Sequence, residues 1–351
     1  MQKIIASILF LLPFLAHAEE KPDLAELKHP VKACLFKVEG NGLEKPSYLF
    51  GTIHLSDPRV LKLHPNAEAA FKASDTFYAE INLDPGAQLQ LAPLVMRKDD
   101  TKLTDAIGSE LTNKLNRVLK DINPALSAAP FDVLKTWTVA ASLPLIESQL
   151  MGKAALDQVL YQRAVKENKK TDALESADSQ VAVFDKFTEQ EQQIMLSDTL
   201  DMMIAEQDAE IKSIERMLNV YLTGTTDEIA DMMTAEMAKM NSNPELTKRL
   251  MKALLDDRNI GMANKAEEFM QAAPEKCHFF AVGAAHYTGK TAVQDLLEEK
   301  GTLTFSELFE NGVQQRSEII VTFLALLEMV KLNLIRIAQH LPSGIIRIFY
   351  V

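Results

Sequence analysis

The sequence predicts an α/β fold. Its central sheet is built from strands near both ends of the main domain, with a largely helical middle between them. Three observations carry this. Short apolar runs that read as strands lie at 33–54, 76–81 and 278–283. From about 87 to 269 apolar residues recur at three- and four-residue spacing, the helical period. Two matching tetrapeptides, Gly51-Thr52-Ile53-His54 and Gly283-Ala284-Ala285-His286, each follow an apolar run and present a histidine three residues after a glycine.

In chain order, residues 1–18 have the form of a secretory signal peptide. Lys3 supplies the positive start, 4–15 is an apolar stretch, and Ala16-His17-Ala18 is a small-x-small cleavage site. Export to the periplasm or the outside of the cell follows, with membrane attachment if the segment stays uncleaved. Residues 33–38 and 47–50 read as a hairpin turning at Glu39-Gly40-Asn41-Gly42. A helix over 66–73 and a strand over 76–81 come next, each strand being expected to end at or near its loop. Helices are expected over 132–145, 156–167, 178–196, 199–218, 226–237 and 246–269, with a short strand at 171–174. Strand 278–283 and helix 290–300 close the main domain, placed at 19–302.

The last stretch, 303–351, changes character. A short helix at 304–310, an apolar helix at 317–332 and a hairpin from 334–338 and 345–350 have the layout of a small winged-helix-like tail. The apolar helix is interrupted by Glu328 and Lys331 and is too short to span a membrane.

Composition excludes one class of partner. A net charge of −12 argues against nucleic acid, which needs a basic footprint. The two cysteines, Cys34 and Cys277, each stand at the start of an expected strand. In an oxidising compartment they could bridge and clamp the ends of the domain.

Among residues able to carry chemistry, His54 and His286 come first, since imidazole ligates metals and moves protons near neutral pH. Glu80 follows an apolar strand and suits a metal ligand or general base. Arg258 lies inside a helix and suits a carboxylate partner or an oxyanion stabiliser. Glu175 ranks next, after its short strand. Asp157 reads as a helix-face residue, and the methionines at 202, 203, 232, 233 and 237 as core.

These residues carry a resemblance. Tyr48-Leu49-Phe50-Gly51-Thr52-Ile53-His54, the strand ending in Glu80, Leu174-Glu175-Ser176 with Gln180, Arg258-Asn259 and Phe280-Ala281-Val282-Gly283-Ala284-Ala285-His286 resemble the TraB/GumN family, related to the Tiki metalloproteases and more distantly to the ChaN/erythromycin-esterase group. The resemblance implies a divalent-metal-dependent hydrolase, a peptidase in some relatives, acting on a peptide or small-molecule substrate. Mn, Co and Zn stay open as the ion. It implies His54, Glu80 and His286 as metal ligands, with Glu80, Arg258 and Glu175 catalytic. In that scheme the ion polarises a carbonyl, Glu80 takes a proton from water and Arg258 steadies developing negative charge. A non-catalytic peptide-binding or sequestering protein on the same fold is the alternative. The tail, with Leu303-Thr304-Phe305-Ser306-Glu307-Leu308-Phe309 and the run 317–331, resembles the C-terminal winged helix of the segregation and condensation protein ScpA. That implies binding to the head of an SMC ATPase, in conflict with export. A gene fusion or a sequence join near Gly301 accounts for the pairing.

Overall fold

The computed structural model describes residue 24 and residues 26–150, 154–240, 242–300, 302–304, 325–332, 335–339 and 346–350. The expected signal peptide at 1–18 lies outside them. A mixed α/β architecture is present, mostly helical, around one five-stranded sheet. Its strands are β1 (Leu35–Val38), β2 (Ser47–Thr52), β3 (Thr76–Ala79), β4 (Lys170–Ala173) and β5 (His278–Gly283), in the spatial order β1-β2-β5-β3-β4. β1 runs antiparallel on the edge, and the other four are parallel. The last strand in sequence therefore inserts between β2 and β3, so the two ends of the domain meet at its centre.

Alternation explains why this sheet is buried on both faces. Phe50, Phe77, Phe279 and Ala281 point to one side, where Phe71 of the helix Pro65–Ala73 joins them. Ring centroids there lie 5.4 Å apart for Phe71–Phe279 and 5.6 Å for Phe50–Phe279. Leu49, Tyr78, Phe280 and Val282 point to the other side, against Met262, Ala263 and Ala266 of the helix Asp257–Ala272 and Val293 of the helix Val293–Lys300. That last helix, expected over 290–300, thus covers the main sheet. Each large apolar side chain so buried contributes about 1.5–3 kcal/mol. A separate helical cluster packs Leu103–Ile122 and Thr136–Ser142 against Glu189–Asp208.

Several expected boundaries move for identifiable reasons. The helix expected at 132–145 is confined to Thr136–Ser142, because the Lys135 amide bonds the Val95 carbonyl with Lys135 extended. The helices expected at 178–196 and 199–218 become Ala177–Asp185, Glu189–Asp208 and Ser213–Thr223. Thr188 and Glu191 form a reciprocal capping box that starts a new helix there. β2 also runs through Gly51 to Thr52 rather than ending at the glycine.

The expected bridge between Cys34 and Cys277 is not formed; both are free. Cys34 stands beside Gly51, whose amide bonds its carbonyl, whereas β2–β5 register aligns Cys277 with Pro46. The stretch from Pro46 to Gly51 is roughly 16 Å at about 3.3 Å per residue, against the ~7 Å limit between bridged α-carbons. Burial also pushes the Cys34 thiol up to about 12, so it stays protonated and unreactive.

The winged-helix form expected for the tail is not supported. The short helix expected to begin at Thr304 is replaced at its start by strand β6 (Thr302–Thr304). Of the expected helix 317–332, only residues 325–331 are described as helical, and 305–324 lie outside the described residues. The expected terminal hairpin is present as β7 (Ile335–Gln339) and β8 (Ile346–Tyr350), with β6 pairing on β8. Among the described residues no helix is long and apolar enough to cross a membrane.

Gly51 exists for close approach. A Cβ there would fall 2.8 Å from Cys34 Cβ, closer than real packing allows, and a tight 3.1 Å from Ala284 Cα. Gly51→Val should therefore destabilise the chain by about 1–3 kcal/mol through overpacking, read as a lower midpoint in urea unfolding. An unchanged midpoint would contradict this packing.

Candidate functional site

In an open parallel sheet, ligands bind beyond the carboxyl ends of the strands. Here all four parallel strands deliver a titratable side chain to that edge: His54 after β2, Glu80 after β3, Glu175 after β4 and His286 after β5. The ladder continues past β3 and β4, with the Leu174 amide on the Ala79 carbonyl at 3.0 Å and the Glu175 amide on the Glu80 carbonyl at 2.8 Å. Glu80 and Glu175 are thereby held on adjacent chain segments.

Glu80 is the centre of the arrangement. Its Oε1 accepts the Gly283 amide at 2.7 Å, and its Oε2 accepts Arg258 Nη2 at 2.6 Å and Gln180 Nε2 at 3.4 Å. Gly283 makes room for this, since a Cβ there would stand 3.2 Å from Glu80 Oε1. Burial alone would raise the Glu80 carboxyl, but His286, Arg258 and His54 together hold it down to about 2. Glu175 accepts Arg258 Nε at 3.0 and 3.1 Å. Burial outweighs that arginine and raises the Glu175 carboxyl above its ordinary value.

Arg258 is aimed by an irregularity that periodicity does not reveal. Residues Lys252–Asp256 form a π turn between the helices Pro244–Met251 and Asp257–Ala272. Such turns shift the phase of the helix that follows and recur at functional sites. After it, Asn259, Met262, Ala263, Ala266 and Met270 share one buried face. Arg258 spends its remaining nitrogen, Nη1, on the Leu254 carbonyl at 3.2 Å.

Both histidines are bonded through Nδ1, which leaves Nε2 as the ring nitrogen available for a ligand. His286 Nδ1 lies 2.5 Å from Asn259 Oδ1, and His286 Nε2 lies 3.7 Å from Glu80 Oε1. Burial lowers the His286 imidazole to about 4, keeping it neutral with a lone pair to give. His54 Nδ1 lies 2.7 Å from Asp157 Oδ2, and the Thr52 hydroxyl bonds the other oxygen of the same carboxylate. The His54 side chain is 57% exposed, and Asp157 raises its imidazole to about 9. Asp157 opens the helix Leu156–Lys166, whose Leu156 amide bonds the Leu55 carbonyl at 3.1 Å. A contact across 103 residues makes Asp157 part of the site, although it reads as a helix-face residue in sequence. Its one local signal is an acidic residue in the first turn of a helix.

Whether these side chains suit a divalent ion can be tested on their geometry. His286 Nε2 and Glu80 Oε1 at 3.7 Å fit two bonds of about 2.0–2.2 Å to one ion, and the neutral imidazole is the ligating form. Glu80 Oε1 keeps a lone pair beyond the one given to Gly283. Among the described residues, however, no group of three or more His, Cys, Asp or Glu stands close enough together to hold an ion. The donor chemistry of Glu80 and His286 fits, with His54 as the ligand that would have to complete it by giving up the proton that Asp157 favours.

The chain is 24% identical to a protein named metalloprotease TIKI1 from Danio rerio over 297 residues, covering 74% of this chain and 60% of that protein. It is 24% identical to metalloprotease TIKI1 from Homo sapiens over 330 residues, covering 82% and 64%. It is 22% identical to a metalloprotease TIKI homolog from Nematostella vectensis over 346 residues, covering 84% and 74%. The chain thus spans less than two thirds of the first two relatives. A different match, 46% identical over 53 residues, is to segregation and condensation protein A from Myxococcus xanthus (strain DK1622), covering 15% of this chain and 18% of that protein. No solved structure matches. The model of the TraB/PrgY/gumN family matches residues 34–304, which include all four strand-end side chains together with Arg258 and Asn259, and the chain belongs to that family.

Proposed function

We propose that this chain is an exported hydrolase that uses a divalent metal ion and cuts peptide bonds. The observation that carries the reading is the meeting of Glu80, Glu175, Arg258 and His286 beyond the ends of the parallel strands. The names of the Tiki relatives support a metalloprotease, and the 18-residue N-terminal pattern supports export. His286, Glu80 and His54 would hold the ion, which when bound supplies an activated water and polarises the scissile carbonyl.

The protein's own groups then divide the work. Glu80 is kept as a carboxylate well below neutral pH, which suits a ligand and makes it a weak proton acceptor. Glu175, raised by burial, holds a proton more readily than Glu80, so we assign the base to Glu175 and the anchoring to Glu80. Arg258 has Nε, Nη1 and Nη2 engaged by Glu175, Leu254 and Glu80, so its role is to position the two carboxylates. Asn259 and Asp157 orient the imidazoles. A peptide-binding protein without turnover is the second reading. The bonding of both carboxylates to Arg258 favours it, and elemental analysis of the purified chain separates the two. Binding to an SMC ATPase head rests on the 53-residue tail similarity alone.

Glu80→Gln should remove both the bound metal and turnover, whereas Glu175→Gln should retain the metal and lower kcat by about 100-fold or more. Elemental analysis beside a peptide-library cleavage assay reads both, and full turnover in Glu175→Gln would return the base to Glu80. Asp157→Asn removes the charge that favours the His54 imidazolium. In metal-free protein the His54 pKa should fall from about 9 toward the ordinary histidine value, followed by NMR titration. Activity should fall about 10- to 100-fold with it. A pKa that stays near 9 would show that Asp157 does not orient His54.

A further inference from the structure

Beside the site lies a cavity of about 1150 Å³, larger than the roughly 300–1,000 Å³ of ordinary small-molecule pockets. Two of its lining residues adjoin residues of the site. Leu55 follows His54 directly, and Leu254 holds Arg258 through its carbonyl. From there the wall runs over the helices Glu189–Asp208, Ser213–Thr223 and Thr226–Lys239.

The lining has an uncommon chemistry. Eight of the chain's fifteen methionines face it, among them Met202, Met203, Met217, Met232, Met237 and Met240, all half-buried. Thioether side chains are flexible and polarisable, and surfaces rich in them accept varied apolar side chains. The lining also holds seven carboxylates against two cations, Lys212 and Arg216. Arg216 is already committed to Glu206 and Glu236. Asp57, Glu206, Glu215 and Glu236 pair with Arg59, Arg216 or Lys239, whereas among the described residues Asp121, Glu147 and Glu210 make no ion pair, so the rim keeps that negative charge. An apolar floor with an acidic rim complements one kind of occupant.

We infer that this groove binds a cationic amphipathic peptide, with large apolar side chains on the methionines and Lys or Arg at the acidic rim, and feeds it past Leu55 to the strand-end site. The inference deepens the hydrolase reading by naming its substrate class and rests on that reading for the cut, though not for the binding. The volume accommodates several residues, and Leu55, next to His54 in the chain, marks the part of the wall closest in sequence to the strand-end site.

The test uses the full chain and a fluorescein-labelled peptide of about twelve residues alternating Leu and Lys pairs. Fluorescence anisotropy reads binding and mass spectrometry reads cleavage. The Leu/Lys peptide should bind at least about 10-fold more tightly than versions with Glu for Lys or Ser for Leu, and high salt should weaken it. The double variant Met203→Lys with Met237→Lys should lose that binding at least about 10-fold. A milder variant, Asp121→Asn with Glu147→Gln and Glu210→Gln, leaves the apolar floor intact and should erase the preference for Lys over Glu. Equal affinity for the Glu peptide would overturn the inference, as would undiminished binding in both variants. Oleate occupying the groove while the peptide stays unbound would overturn it too. Binding without cleavage would uphold the groove and remove the hydrolase reading. Cleavage indifferent to both variants would do the reverse.

Discussion

Two carboxylates, Glu80 and Glu175, sit nearly buried on adjacent chain segments, and one guanidinium, Arg258, lies between them. Like charges in such a setting repel strongly unless compensated. Arg258 reaches Glu80 from 178 residues away and Glu175 from 83, so this contact ties the β3 and β4 ends to the helix Asp257–Ala272. Burying an ion pair costs desolvation, and the fold gains little net stability from it. Removing one partner, by contrast, leaves a stranded charge at a cost of about 3–5 kcal/mol. The arrangement is better understood as a means of holding two carboxylates in set and different protonation tendencies. Glu80 is drawn down by Arg258 and His286, while Glu175 is pushed up by burial.

The sheet makes this possible. Inserting β5 between β2 and β3 brings Gly283 beside Glu80 and His286 within 3.7 Å of it. The aromatic layer of Phe50, Phe71, Phe77 and Phe279 on one face, and Met262 with Phe280 on the other, keep the strands from sliding. A one-residue slip would turn every buried ring toward the wrong side. Gly51 and Gly283 serve the same purpose at the strand ends, one admitting Cys34 and Ala284, the other admitting Glu80.

Much of this was legible in the residues. The strands near both ends, the helical middle and the strand-end positions of His54, Glu80, Glu175 and His286 follow from apolar runs and their punctuation. What stayed hidden depends on distance or on local geometry. Asp157 becomes a partner of His54 only when the helix Leu156–Lys166 docks on the loop after β2. The π turn before Arg258 adds a residue to the turn without interrupting the run of helix, so a reading by periodicity passes over it. The break at Thr188 was written in its capping box yet lay inside a continuous apolar pattern. The pairing of Cys34 with Cys277 failed because both being at strand starts does not place them at the same end of the sheet. β1 runs antiparallel to β2 while β5 runs parallel to it, which sends the two cysteines to opposite ends.

The central claim is that these strand-end side chains form a metal centre. A crystal structure of the purified chain with anomalous diffraction at the Mn, Co and Zn edges tests it most directly. The account predicts one anomalous peak within about 2.2 Å of Glu80 Oε1 and His286 Nε2, with His54 Nε2 drawn in as a further ligand. A chain that binds no ion when loaded with each of the three, with Arg258 still bonded to both carboxylates, would contradict it.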